Sequence, residues 1–108
     1  MTNITVYCKD KTYIGFRMSG HSGYADAGED IVCAGISALA INFINSVEQL
    51  TDEKYSMFEH EEDGIIDYML EGEPLSREAE ILIKSLVLGL VELEKEYKDF
   101  ISLDYKEV

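Results

Sequence analysis

The chain is poor in basic residues. It has 9 lysines and arginines against 22 aspartates and glutamates, which gives a formal net charge of −13 at pH 7. Because phosphate binding needs clustered Lys and Arg, this balance argues against a nucleic acid partner. It permits a basic partner, whose attraction to the acidic surface would speed their encounter, although such a surface also serves solubility alone.

Cysteine, histidine and long apolar runs are also scarce. The 108 residues include two cysteines, two histidines and no tryptophan. Two cysteines without a signal peptide predict a reducing compartment, and hence a cytoplasmic protein. We find no apolar run that reaches the roughly 20 residues needed to span a bilayer, so no membrane partner is expected. No linker or low-complexity segment divides the chain, which predicts one domain over residues 1–108.

The spacing of apolar residues predicts the fold class. Alternating segments predict strands, and apolar residues three or four apart predict helices. In chain order these are strands at 3–8 and 14–18, a helix at about 30–50, strands at 55–58 and 65–70 around an acidic turn at 59–63, a helix that starts near Pro74 and Ser76, and a last strand from Ile101. The order ββαββαβ indicates an α/β two-layer sandwich, a mixed sheet with two helices packed on it.

One segment, GHSGYADAGEDIVCAGISAL at residues 20–39, carries the candidate site. His21 lies in a glycine-rich loop, and Cys33 follows at the first turn of the predicted helix. A thiol there feels the positive end of the helix dipole, which favours thiolate, and a histidine brought over it by the loop could act as its base. Asp30 is predicted to cap this helix or to orient His21.

The glycines of this segment predict a loop that moves. Gly20, Gly23 and Gly28 permit backbone conformations that other residues resist, so we expect the loop to flex and admit a substrate. The simpler interpretation is a tight turn between a strand and a helix. The loop matches neither the P-loop nor the dinucleotide pattern, which argues against phosphate.

The scarce reactive residues also allow plainer roles. A cysteine among small apolar residues is often just a buried hydrophobe, which is an alternative for Cys33 and the prediction for Cys8. His60 lies in the acidic turn and is predicted to be solvated and dispensable. Together with His21, these residues lack the close ligand pairs of a metal site, so neither a metal nor a cofactor is expected.

The segment at 20–39 resembles the signature of the ribosomal-processing cysteine proteases of Firmicutes and related bacteria. That signature reads approximately GHAGYA, then a few residues, then G-x-D-I-V-C-A-x-x-S, and the size, element order and acidic charge agree over the whole chain. The resemblance implies an endopeptidase with Cys33 as nucleophile and His21 as base. Its expected substrate is one large-subunit ribosomal protein, the twenty-seventh in the usual naming, which loses a short N-terminal extension.

The resemblance also implies how the enzyme meets its substrate. Family members are generally homodimers with a mobile glycine-rich loop over the site. The extension is apolar and aromatic near the cut, which suits a groove edged by Tyr and Met, and the body of the ribosomal protein is basic, which suits an acidic enzyme. Two alternatives remain: a non-enzymatic acidic module that binds a basic ribosomal protein during ribosome assembly, and a thiol-dependent hydrolase of a small ester.

Overall fold

The computed structural model describes residues 1–20, 27–60 and 64–108, and for residues 27–30 it describes the backbone alone. Seven elements follow one another in the predicted order: β1 (Thr2–Lys9), β2 (Thr12–Ser19), α1 (Ala27–Leu50), β3 (Tyr55–His60), β4 (Ile65–Leu70), α2 (Arg77–Glu96) and β5 (Ile101–Glu107). The predicted fold class is confirmed, because five strands form a mixed sheet and two helices accompany it.

The strands pair in the order β3-β4-β2-β1-β5. Three of the four pairings are antiparallel, and that of β1 with β5 is parallel. The first hairpin closes through Asp10 and Lys11, whose φ angles of 51° and 69° suit the two-residue turns that match strand twist. The N-terminal strand therefore lies inside the sheet, between β2 and β5.

Both helices bury their apolar stripes in one core with the sheet. Three aromatic rings meet at its centre, with centroids 5.4 Å apart for Phe16 and Tyr68 and 5.2 Å apart for Phe43 and Tyr68. The stripe of α1 in this core consists of Val32, Ile36, Ala40, Phe43 and Val47. Leu50 continues the same spacing of three or four residues, but it is 72% exposed because it is the last residue of the helix.

The second helix starts where its sequence predicts. Ser76 is the N-cap of α2, and its side-chain oxygen accepts a hydrogen bond from the backbone N–H of Ala79 at 3.1 Å. A cap of this kind stabilises a helix by about 1 kcal/mol. Glu78 and Glu80 in the first turn add a favourable interaction with the helix dipole.

Several element boundaries differ from the sequence-based prediction, and two of these differences concern candidate site residues. The first helix begins at Ala27, three residues before the predicted start, so Asp30 lies inside α1 and is not its N-cap. Acidic residues such as Glu29 and Asp30 are favourable in the first turn of a helix as well as at its N-cap. Their presence in the sequence therefore does not determine the residue at which the helix begins. Strand β3 continues through Glu59 and His60, which were assigned to the turn, because both pair with β4.

One helix is long and apolar enough to cross a membrane, contrary to the expectation from the sequence. Residues Ile31–Leu50 have the length and the apolar composition of a membrane-spanning helix, with a mean hydropathy of 1.6. A single helix of this kind is weak evidence for a span, since core helices of soluble proteins pass the same test. In this fold, α1 packs its stripe against the sheet.

Candidate active site

A pocket opens between the first half of α1 and one end of the sheet. Its volume is about 220 Å³. Its lining comes from four neighbouring parts of the fold: Thr2 of β1; Met18 and Ser19 of β2; Cys33, Ile36 and Ser37 of α1; and Glu59, His60, Gly64, Ile65 and Ile66 of the second hairpin. Met18 and Ile36 are almost fully buried, so the pocket has an apolar floor.

Cys33 places a thiol in this pocket. It is half-buried and free, and it lies beside the core stripe that begins at Val32. Its side chain belongs to the pocket lining and is not fully enclosed in the core. It is, however, the seventh residue of α1 and not part of the first turn. At 1.5 Å per residue it lies about 9 Å from the helix start, where the influence of the dipole has weakened.

Thr2 contacts the sulfur of Cys33 across the floor of the pocket. Its Oγ1 lies 3.4 Å from the Sγ of Cys33, and either atom could be the donor. Thr2 is only 7% exposed, and its backbone N–H donates to the carbonyl oxygen of Phe100 at 2.9 Å. Sequence reasoning missed this residue, because 31 positions separate it from Cys33 and no local pattern marks it.

The other predicted site residues are only partly described. His21 and Gly23 lie outside the described residues, as does the side chain of Asp30, so the roles of His21 and Asp30 remain predictions. Gly28, assigned to the loop, belongs to α1. Gly20 has a φ of 96°, and a Cβ there would collide with the carbonyl oxygen of Met1, so this position requires glycine for steric reasons.

The second hairpin brings Glu59 and His60 to the pocket. Glu59, Ile66 and Met18 pair in one row across three strands, so the carboxylate of Glu59 shares the sheet face of the buried Met18. Side chains alternate along a strand, which turns His60 toward the opposite face, and His60 reaches the pocket at its rim. It is exposed, as expected, but it ends β3 and does not lie in a turn.

The lining differs from the expected groove of tyrosine and methionine. Among the described residues, it contains Met18 and three isoleucines but no tyrosine, lysine or arginine. Tyr7 and Tyr13 are engaged elsewhere, the first with Asp67 and the second stacked on Tyr105. The described part of the chain contains no group of three or more His, Cys, Asp or Glu residues that could hold a metal ion.

The second cysteine has a structural environment. Cys8 is half-buried and packs against the core. Burial, and then the nearby carboxylate of Glu107, raise the pKa of its thiol above the ordinary value. We expect iodoacetamide at pH 7 to alkylate Cys33 before Cys8, because a raised pKa leaves less reactive thiolate. Peptide mass mapping of singly labelled protein measures this, with Cys8→Ala as the control that leaves Cys33 labelling unchanged. Faster labelling of Cys8 would contradict it.

Known proteins resemble this chain over most of its length. Residues 1–102 match the family described as Cysteine protease Prp. The Ribosomal processing cysteine protease Prp of Bacillus subtilis (strain 168) is 34% identical over a 94-residue alignment, and the match covers 83% of this chain and 83% of that protein. The protein of the same name from Staphylococcus aureus (strain Mu50) is 30% identical over 89 residues, 82% of this chain and 83% of its own.

Solved structures share the fold. The crystal structure of an essential ribosomal processing protease Prp from S. aureus with a substrate peptide has a TM-score of 0.90 and 26% identity, and the match covers 98% of this chain and 100% of that one. A second structure of that protease, with a covalently linked product peptide, has a TM-score of 0.87 and 27% identity over the same shares. Because the family match covers residues 1–102 and the Bacillus subtilis protein is 34% identical, this chain belongs to the family of ribosomal processing cysteine proteases called Prp, in agreement with the free thiol of Cys33 in its pocket.

Proposed function

We propose that this cysteine protease removes a short N-terminal extension from a large-subunit ribosomal protein, the twenty-seventh in the usual naming, with Cys33 as nucleophile and His21 as general base. The observation that carries the proposal is the half-buried thiol of Cys33 in a pocket of about 220 Å³ with an apolar floor. A relative of the same family has been solved with a substrate peptide, which supports a peptide substrate here.

The proposed reaction follows from the chemistry of a thiol and an imidazole. His21 takes the proton of the Cys33 thiol, and the thiolate attacks the scissile carbonyl carbon. The tetrahedral intermediate collapses as the C–N bond breaks, and protonated His21 gives its proton to the leaving amine. Water, deprotonated by His21, then releases the acyl group from the sulfur. Asp30 is proposed to orient the imidazole, although a Cys–His pair works without a third member.

The start of α1 restricts the donors that can stabilise the oxyanion. Because the helix begins at Ala27, the N–H of Cys33 lies in its interior, where it donates to a carbonyl four residues earlier. The N–H groups free of such bonds belong to the first residues of the helix. We therefore assign the oxyanion donors to the loop and the beginning of α1, and not to Cys33 itself.

The pocket lining suits a substrate that has an apolar residue beside the cut and a basic residue close to it. Met18 and Ile36 offer an apolar floor to a residue beside the cut, in keeping with an apolar extension. Glu59 places a carboxylate on the wall, and the described lining holds no compensating lysine or arginine. A cationic residue of the ribosomal protein close to the cut would be attracted to it.

The setting of the enzyme is part of the proposal. We infer that it acts in the cytoplasm as a homodimer, with no nucleic acid partner, since the formal charge of −13 repels phosphate. The alternative is an acidic module that binds the same basic protein without cleaving it. Such a module has no need of a thiol in a pocket with an apolar floor.

The decisive experiment uses the full-length ribosomal protein with its extension. After incubation with the protease, intact-mass measurement should find a product shortened at the N-terminus. The same ribosomal protein without the extension is the control and should keep its mass. If the extended substrate binds but stays uncut under reducing conditions, the acidic binding module is correct and the protease is not.

The acidic surface should speed the encounter with the full-length basic substrate and should not affect the chemical step at Cys33. The Debye length falls from about 10 Å at 0.1 M salt to about 3 Å at 1 M, so attraction by the protein's whole field weakens. We expect kcat/KM for the full-length substrate to fall as salt rises, while a short uncharged peptide that spans the cut changes little. If both substrates respond alike, the net charge of −13 serves solubility only.

A further inference from the structure

We propose that Thr2 is a positioning residue for the nucleophile: its hydroxyl donates a hydrogen bond to the thiolate of Cys33 and holds the sulfur toward the pocket. The proposal rests on the function of Cys33 proposed above. It carries the additional claim that the N-terminal strand, and not helix α1 alone, prepares the thiol for reaction.

The geometry fixes the hydroxyl beside the sulfur. Oγ1 of Thr2 lies 3.4 Å from Sγ of Cys33, within the range of hydrogen bonds that involve sulfur. The backbone of Thr2 is held by its N–H bond to the carbonyl oxygen of Phe100 and by its place opposite Ile101 in the parallel pair of β1 and β5. A β-branched side chain on a fixed strand has few rotamers, so the hydroxyl is in place before any substrate arrives.

In the described part of the pocket, few groups stabilise a negative charge on Cys33. Cys33 lies beyond the first turn of α1, where the helix dipole acts most strongly. Glu59 adds a negative charge to the same pocket, and the described lining supplies no lysine or arginine. A hydroxyl that donates to an anion favours the charged form, and hydrogen bonds to ions are stronger than those between neutral groups.

A threonine hydroxyl suits both states of the sulfur. It can accept from the S–H of the resting thiol and, after rotation about its C–O bond, donate to the thiolate. Burial strengthens the second bond, since Thr2 is only 7% exposed and water competes little for its hydroxyl. Valine has the same shape without the hydroxyl, which makes Thr2→Val the informative substitution.

The test measures the rate of Cys33 alkylation by iodoacetamide against pH in the full chain, with the labelled site identified by peptide mass. For Thr2→Val we expect the midpoint of the profile to move upward by about 1 pH unit, which slows labelling at pH 7 up to about tenfold. Thr2→Ser, which keeps the hydroxyl, should stay close to the wild-type profile. Thr5→Val is the matched control, because Thr5 lies on the same strand but on the other face of the sheet.

An unchanged or lowered midpoint in Thr2→Val would overturn the proposal, as would equal shifts in the valine and serine variants. Valine suits a strand, so folding is expected, and circular dichroism checks it. If Thr2→Val does not fold, Thr2→Ala, which also lacks the hydroxyl, must show the same upward shift. Alkylation needs no peptide, so this result stands apart from the identity of the substrate. In cleavage assays, the loss of kcat/KM in Thr2→Val should shrink as pH rises.

Discussion

Replacement of Cys33 with alanine is expected to abolish cleavage and to leave the fold intact. The thiol is the only nucleophile that the proposed reaction uses. We expect kcat to fall by more than about 10³-fold, as when the nucleophile of other covalent proteases is removed. Because Cys33 is half-buried and the change removes one sulfur atom, the free energy of unfolding should fall by about 1 kcal/mol or less. Single-turnover cleavage and thermal melting measure the two effects.

The matched control is Cys8→Ala, which removes the other thiol of the chain. Cys8 packs against the core at the far end of β1, so this variant should lose some stability and keep its activity. A Cys33→Ala variant that cleaves at the wild-type rate would exclude the mechanism. Inactivity of both variants with intact folding would mean that the two thiols are not separated in function as proposed.

Substitution of the two histidines should also have different effects on activity. We expect His21→Ala to lower kcat by about 10²- to 10⁴-fold and His60→Ala to lower it little. His21 lies six residues before the start of α1, in the segment that leads into the helix of Cys33. His60 is the nearest competitor, because it lines the same pocket. Because side chains alternate along β3, His60 points away from the sheet face that Glu59 shares with Met18. This orientation favours His21 over His60 as the general base.

Measurement of kcat and of the melting temperature for both histidine variants tests the assignment. Added imidazole provides a further check, since a small base that enters the vacated space should restore part of the activity of His21→Ala. The opposite pattern, with His60→Ala inactive and His21→Ala active, would assign the base to the rim of the described pocket. Equal large losses would contradict a single base.

The sequence predicted what depends on local pattern. Alternation in β1 and β2 and the stripe from Val32 to Val47 follow from strand and helix periodicity, so the order ββαββαβ emerged without a structure. Ser76 marked the start of α2 because its side chain caps the helix directly. Cys33 could be proposed as the nucleophile because its segment, with His21 and the glycines, resembles a family signature.

The remaining features depend on pairing between distant parts of the chain. Glu59 and His60 have turn-like, acidic neighbours, and only pairing with Ile66 and Ile65 extends β3 through them. The local sequence does not determine that α1 begins at Ala27, because acidic residues are favourable both at an N-cap and in a first helical turn. The contact of Thr2 with Cys33 arises from the packing of a strand against a helix, which no sequence motif records.

The parallel pairing of β1 with β5 has a consequence for the timing of enzyme maturation. During synthesis, β1 meets β2 at once, but the chain reaches β5 only after both helices. The carbonyl of Phe100 that holds the backbone of Thr2 is therefore added long after Cys33 itself. Contacts between distant segments form late in folding, because the chain between them must first be ordered. A nascent chain that already contains Cys33 thus lacks the strand that anchors Thr2 until β5 has been synthesised.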